Sequence, residues 1–148
     1  MDIRFAAIAV LCGLSACASS AVAEPEPTPA PIGPYSPSVR AGDLVFVSGQ
    51  IGIDPETGEF AGPEIEDQAM QVLANIDRVL GAECSSLADV VEAKVFLLDM
   101  DWYGRFNETY ASIMGETRPA RAVVEVSRLP RDSLVEIMVT AYVPEGCE

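Results

Sequence analysis

The run VEIMVTAYV at residues 135–143 constrains the fold more than any other part of this chain. Its β-branched and apolar residues predict a strand, and they occupy both alternating sets of positions. Because alternate side chains point to opposite faces of a sheet, both faces of this sheet must be covered. The helices of a domain this small cover only one face. The simplest cover for the other face is a second copy of the chain.

A helix follows the first β-rich segment. Residues 41–53 contain a turn and a β-rich run that Gly49 interrupts. A glycine inside a strand often marks a bulge or the close approach of a ligand to the backbone. Apolar residues at steps of three and four then predict a helix over residues 63–82, with Pro63 in its first turn.

The second half of the chain alternates strand and helix. Residues 90–100 predict a strand, residues 101–114 a helix, and residues 122–126 and 134–143 the last two strands. The second helix places four side chains on one face, namely Tyr103, Phe106, Tyr110 and Ile113. The order ββαβαββ predicts an α+β fold with both helices on one face of the sheet.

The charge of the chain limits its partners. Its 148 residues carry a formal net charge of −14, with nine basic residues and no histidine. A surface this acidic repels nucleic acid and anionic lipid, so neither is an expected general partner. The lack of histidine excludes Ser-His-Asp and Cys-His triads and histidine-based metal sites. An anionic substrate therefore needs one of the few arginines.

Residues 1–23 predict a signal for export. The apolar stretch FAAIAVLCGLSAC follows a single basic residue and is too short for a comfortable membrane span. Two cleavage sites compete. LSAC resembles a lipobox, with Cys17 as the lipidated N-terminus, and AVA resembles a general signal-peptidase site ending at Ala23. A third interpretation is an N-terminal helix that is never removed. The expected location is periplasmic, either soluble or anchored to a membrane through Cys17.

A tether and two cysteines complete the expected organisation. Residues 24–31, EPEPTPAP, predict an extended tether because alternating prolines forbid a helix, and a plain disordered N-terminus is the alternative. The folded domain then covers residues 32–148 and retains Cys84 and Cys147. Export to an oxidising compartment makes a Cys84–Cys147 disulfide possible. Neither is an expected nucleophile, because the chain has no histidine to activate a thiol.

Two charged residues stand in predicted strand segments. Arg121 opens a run of small and β-branched residues, and Glu136 lies in the apolar run 135–143. A charge taken out of water must be paired. From the residues alone, Arg121 either forms a structural ion pair or binds an anionic ligand. Glu136 either pairs with an arginine such as Arg128 or takes part in chemistry.

Six segments together resemble the RidA family, also called the YjgF family. In chain order they are IGPYSPSV, VSGQIGIDPETGE, QAMQVLANIDRVL, VFLLDM, FNETYASI and RPARAVVEVSRLPRDSLVEIMVTA. The resemblance covers residues 32–143. It implies a chorismate-mutase-like α+β fold with a mixed sheet, and trimers whose sheets line a central barrel. The active sites are then expected in the clefts between subunits.

The resemblance also implies a reaction. Several family members hydrolyse reactive enamine and imine acids, such as 2-aminoacrylate and 2-iminobutanoate, to 2-keto acids and ammonia. By resemblance, Arg121 is the clamp for the substrate carboxylate and Glu136 positions or activates water. The expected substrate contacts are Tyr35, Ser48, Gly49 and Asn107.

The resemblance further limits cofactors and alternatives. Val123 stands where the best-studied branch of the family has a reactive cysteine, so we expect only its backbone to contribute to the substrate site. Neither a metal nor an organic cofactor is expected. The alternative function is a non-catalytic module of the same fold in the cell envelope, which binds small carboxylates or acts like a chaperone. RNA cleavage has also been suggested for relatives, and the acidic charge disfavours it here.

Overall fold

The computed structural model describes residue 31 and residues 33–146. The predicted signal, nearly all of the predicted tether, and Cys147 lie outside these residues. Within them, five strands form a single sheet and two α-helices accompany it. No helix in the described range is both long and apolar enough to cross a membrane.

The elements follow the predicted order ββαβαββ. They are β1 Ser38–Ala41, β2 Leu44–Ile51, α1 Ile65–Ala82, β3 Val90–Leu97, α2 Tyr103–Met114, β4 Ala120–Glu125 and β5 Val135–Tyr142. The strands lie side by side in the order β1-β2-β5-β3-β4. The β3–β4 pair is parallel and the other pairs are antiparallel, so the sheet is mixed.

The start of α1 differs from the prediction. The helix begins at Ile65 rather than Pro63, because Glu64 has an extended backbone with φ −93° and ψ 156° and forms the N-cap. The side chain of Asp67 accepts a hydrogen bond from the Glu64 N–H at 3.4 Å, which satisfies one of the free donors at the helix start.

Three other predicted boundaries are wrong by two or three residues. α2 begins at Tyr103 rather than residue 101, because residues 100–102 form a 3₁₀ turn. β3 ends at Leu97 rather than residue 100. β4 begins at Ala120 rather than residue 122, because its parallel pairing with β3 starts there.

A core lies between the sheet and the two helices. Its fully buried side chains include Val45, Val95, Val135 and Ile137 from the sheet, and Val72, Ile76, Leu80 and Phe106 from the helices. The predicted apolar face of α2 is partly wrong. Phe106, Tyr110 and Met114 are buried, whereas Tyr103 and Ile113 are 40% and 36% exposed. Only a narrow stripe of α2, at steps of four residues, faces the core.

The other face of the sheet carries exposed apolar side chains, and we call it the open face. Its members include Val39, Leu44, Phe46, Val124, Met138 and Tyr142. In β5 the exposed Met138 and Tyr142 alternate with buried Val139 and Ala141, which confirms apolar residues on both faces. An apolar face of this kind is typical of a surface that associates with another chain.

Candidate active site

Strand β4 and helix α2 position Arg121 on the helix face of the sheet. In the sheet Arg121 lies opposite Ala93, which belongs to the core. Its Nη2 donates to Asn107 Oδ1 on α2 at 2.7 Å. Its guanidinium carbon lies 4.6 Å from the centroid of the Tyr110 ring, within the range of a cation–π contact. The helix therefore fixes the orientation of this half-buried arginine.

Arg121 lines a cavity that we call the arginine cavity. It has a volume of about 370 Å³ and is lined by Asn107, Tyr110, Ala111, Thr117, Arg118, Pro119 and Arg121. Within the described residues, no carboxylate forms an ion pair with Arg121, so the structural ion-pair alternative is wrong there. A guanidinium has five N–H donors, and donors beyond the Asn107 bond remain for an anion.

Strand β5 positions Glu136 on the open face. Its neighbours Val135 and Ile137 are fully buried on the helix side, so the side chain of Glu136 points the other way. Glu136 is half-buried and has no hydrogen bond or ion pair within the described residues. This burial raises the pKa of its carboxyl above the ordinary value. The Arg128 alternative is wrong, because Arg128 Nε donates to Asp132 Oδ1 at 2.8 Å.

A β-bulge brings Gly49 against Glu136. Val47 pairs with Val139 and Gln50 with Ile137, so β2 has one residue more than β5 over this stretch. This confirms the bulge predicted from Gly49. A Cβ at Gly49 would lie only 1.8 Å from Glu136 Oε1. Glycine is therefore required for the carboxylate to occupy its present position.

Glu136 and Gly49 line a second cavity, which we call the glutamate cavity. Its volume is about 330 Å³, and its lining is Tyr35, Ser48, Gly49, Ile51, Pro130, Glu136 and Met138. Ser48 Oγ donates to Ser36 O at 2.7 Å, and its backbone N–H donates to Pro37 O at 2.9 Å. These bonds hold the segment that carries Tyr35 beside the bulge.

The predicted site residues therefore form two groups on opposite faces of the sheet. Arg121 and Asn107 line the arginine cavity, whereas the glutamate cavity contains Tyr35, Ser48, Gly49 and Glu136. Arg121 lies two strands from Glu136, roughly 10 Å across the sheet. Val123 lines neither cavity, since its side chain packs against the core. A single chain does not bring Arg121 and Glu136 together.

The chain matches the family described as Endoribonuclease L-PSP over residues 26–143. It belongs to the RidA/YjgF family. Three relatives illustrate the match. The RutC family protein PH0854 of Pyrococcus horikoshii is 51% identical over 117 residues, which are 79% of this chain and 93% of that protein.

The other two relatives are a deaminase and a protein that was solved with a bound ligand. Reactive Intermediate Deaminase A, chloroplastic, of Arabidopsis thaliana is 39% identical over 127 residues, 84% of this chain and 68% of that protein. The crystal structure of E. coli TdcF with bound serine has a TM-score of 0.77 and 36% identity, covering 82% of this chain and 97% of TdcF. The RidA-type α+β fold is thus confirmed, and the family includes reactive intermediate deaminases.

The position of Tyr103 in this RidA-family chain was not predicted from the sequence. It was predicted on the apolar face of α2, but it is exposed and lies one turn before Asn107. A hydrogen bond with Asn107 and the positive charge of Arg121 lower the pKa of its phenol. The i, i+4 spacing of Tyr103 and Asn107 was the available sequence signal.

The structure of this RidA-family chain also bears on metal binding and on the bonding of Cys84. Within the described residues, no group of three or more His, Cys, Asp or Glu side chains is arranged to hold a metal ion. Cys84 is disulfide-bonded, and its partner lies outside the described residues. The pairing of Cys84 with Cys147 therefore stays a prediction.

Proposed function

We propose that this protein hydrolyses small reactive 2-imino and enamine carboxylic acids to 2-keto acids and ammonia, at sites shared between the subunits of a homotrimer. The observation that carries the proposal is the separation of Arg121 and Glu136 on opposite faces of the sheet. The arginine cavity contains a cation without a base, and the glutamate cavity contains a base without a cation. A neighbouring chain packed on the open face places one cavity against the other.

The two halves supply complementary steps of the reaction. Arg121 presents a planar pair of donors that matches the substrate carboxylate in bidentate geometry. The adjacent imine carbon is then directed toward Glu136 of the neighbouring subunit and the water beside it. Because this carbon is already electrophilic, the reaction needs neither a metal nor an organic cofactor.

Glu136 moves the protons. It accepts a proton from water as the water oxygen bonds to the imine carbon, and it returns that proton to the nitrogen, which receives the C=N π electrons; this gives a neutral carbinolamine. It then takes the proton of the carbinolamine hydroxyl and passes it to the nitrogen, so that the C–N bond breaks, ammonia leaves and the carbonyl forms. General acid–base catalysis of this kind typically contributes ~10²–10⁴-fold.

The disulfide supports export of the protein. Disulfides persist in oxidising compartments and are rare in the cytosol, and Cys84 is disulfide-bonded. We therefore propose a periplasmic protein, either soluble or tethered through Cys17. Imines released by amino-acid oxidation in that compartment are the substrates that this location favours.

A non-catalytic carboxylate-binding or chaperone-like module is the second candidate. TdcF has been solved with bound serine, a small amino acid, which is compatible with a family site that holds a carboxylate without turnover. The presence of Glu136 favours the hydrolase, because a binder needs the arginine clamp but not a second carboxylate. The family description names an endoribonuclease, but a net charge of −14 opposes binding to RNA.

Subunit mixing tests the shared site. Arg121→Ala and Glu136→Gln chains, each inactive alone, are expected to regain activity when they assemble together, because a trimer of both kinds contains one intact pair. Random mixing in equal amounts restores about a quarter of the wild-type activity in a cyclic trimer, and mixed trimers freed of homotrimers have about a third. The measurement is keto-acid release from 2-iminobutanoate, with the two chains carrying different tags and mixed trimers purified on both.

The control for subunit mixing is a chain that carries both substitutions. Assembled with Arg121→Ala chains, it forms no intact pair of Arg121 and Glu136 and gives no activity. If mixed trimers of the two single variants are equally inactive while the wild type turns over, the site is not shared between subunits. If the wild type itself accelerates no imine tested, the cleft is a binding site and the hydrolase proposal is wrong.

A substitution at Gly49 tests the position of the Glu136 carboxylate. In Gly49→Ala the new Cβ overlaps Glu136 Oε1, so the carboxylate must turn away. We expect kcat to fall about tenfold or more, because small misplacements of catalytic groups are costly. The Tm should change little, since the displaced atom ends a flexible side chain. The matched control is Gly52→Ala, whose Cβ would meet the Gln68 Cα at 2.7 Å and which should lower the Tm.

A further inference from the structure

The arginine cavity contains a second cation. Arg118 lines it together with Arg121, and none of the described residues that line it is acidic. The chain as a whole has 23 acidic residues against nine basic ones, so a cavity with two arginines and no carboxylate is unusual in it. Two positive charges in one cavity favour an anion with two negative charges.

The turn between α2 and β4 holds Arg118 at the cavity. Its Nη1 donates to the backbone carbonyls of Gly115 and, at 2.9 Å, Thr117. These bonds satisfy carbonyls of the cap residue and of the turn that follows α2, and they place a cation where the helix dipole is negative. They use one nitrogen of the guanidinium, which leaves further donors for a ligand. Arg118 and Arg121 are three residues apart, so their Cα atoms are at most about 11 Å from each other.

The Tyr110 hydroxyl lacks a partner in the same cavity. Tyr110 lines the cavity and is only 7% exposed, yet its hydroxyl has no hydrogen bond within the described residues. Buried hydroxyls are nearly always hydrogen-bonded. Burial raises the pKa of this phenol, while the charges of Arg121 and Arg118 oppose the rise, so both cations act on the same hydroxyl.

We propose that the arginine cavity selects 2-imino acids with a second carboxylate on their side chain. Arg121 binds the carboxylate next to the imine carbon, and Arg118 binds the second carboxylate, which also accepts the hydrogen bond from Tyr110. The inference rests on the proposed function for the imine, but the dicarboxylate site itself is defined by the two arginines and the hydroxyl. Monocarboxylic imino acids then remain substrates with a higher KM.

Calorimetric binding of two stable carboxylates tests the site without turnover. Glutarate, a dicarboxylate, is expected to bind the wild-type protein at least about tenfold more tightly than butyrate. A factor of about ten is the lower end of the effect of one charge-assisted hydrogen bond. Arg118→Gln should weaken glutarate binding about tenfold or more and butyrate binding much less, so that the preference is lost. Glutamine retains an N–H donor for the carbonyls of the turn, so the fold is expected to persist.

The control is Arg40→Gln, which likewise removes one positive charge. Arg40 is an exposed arginine that donates to a backbone carbonyl, that of Gly42. It should bind both ligands like the wild type. Equal binding of glutarate and butyrate by the wild type, or equal weakening of both in Arg118→Gln, would overturn the inference.

A kinetic comparison separates this inference from the proposed function. We expect kcat/KM to be higher for 2-iminoglutarate than for 2-iminobutanoate, both made in situ by oxidases, with the difference lost in Arg118→Gln through KM. Turnover of 2-iminobutanoate without any Arg118-dependent preference contradicts the dicarboxylate site alone. An Arg118-dependent preference for glutarate without turnover of either imine contradicts the hydrolase and leaves the dicarboxylate site standing.

Discussion

Replacing Arg121 with alanine is expected to remove nearly all hydrolysis of 2-iminobutanoate while the fold persists. The substitution deletes two charge-assisted hydrogen bonds to the substrate carboxylate, worth roughly 3 kcal/mol or more together, which corresponds to a fall in kcat/KM of about 10²-fold or more. The fold should persist, because Arg121 lies on the edge strand β4 and its substitution removes contacts with α2 alone, namely those with Tyr103, Asn107 and the ring of Tyr110. The measurement is keto-acid release with the imine generated by an amino-acid oxidase.

Two further variants show whether the effect of Arg121→Ala is specific. Arg128→Ala removes the same charge from an exposed arginine whose partner is Asp132, and it should retain wild-type activity. Arg121→Lys keeps the charge but not the planar pair of donors, so we expect an intermediate kcat/KM. Equal rates for the wild type and Arg121→Ala across several imines would show that Arg121 is not a substrate clamp.

Much of the fold could be predicted because its signals are local. The apolar spacing along α1 reflects one helix face packing against the core, and the run of β-branched and apolar residues in β5 is a strand signal of its own. The interruption at Gly49 likewise indicated the bulge that now lies against Glu136. Boundaries were less accurate because caps and short 3₁₀ turns, such as the one before Tyr103, depend on a few hydrogen bonds rather than on periodicity.

The separation of the two catalytic candidates could not be predicted in the same way. Glu136 lies between Val135 and Ile137, so its face follows from the pattern of β5. In β4 the residues on both sides of Arg121 are alanines, and small side chains do not show which face is buried. The face of Arg121 is set instead by its contacts with α2, which lie 11 and 14 residues earlier in the chain.

Tyr103 was misplaced for a related reason. An aromatic residue at the helical spacing of Phe106 and Tyr110 is usually part of the core. Here α2 buries only a narrow stripe, and Tyr103 is exposed beside Asn107 and Arg121. One polar neighbour of Tyr103 is Arg121 on strand β4. The residue pattern of α2 alone does not show which strand lies beside the helix.

Replacing Glu136 with glutamine is expected to lower kcat by ~10²–10⁴-fold, the usual contribution of a general acid–base group. Glutamine has nearly the same shape but neither accepts nor returns a proton, so binding of the substrate carboxylate and KM should change little. The control Glu108→Gln removes an exposed carboxylate on α2 and should retain activity. Retention of the wild-type kcat by Glu136→Gln would show that Glu136 is not the general acid–base of the reaction.

The same substitution should stabilise the protein at neutral pH. Burial raises the pKa of Glu136 from 4.5, so the native state binds more protons than the unfolded state between the ordinary and the raised value. Ionisation of Glu136 therefore lowers the free energy of unfolding. This loss grows as pH rises through the window and is complete above the raised pKa. In Glu136→Gln this loss is absent. Urea unfolding should show the variant gaining stability relative to the wild type from acidic to neutral pH. If Glu136→Gln loses activity and gains stability, the Glu136 carboxylate is kept in an unfavourable environment for catalysis. If the variant loses both activity and stability, Glu136 has a structural role.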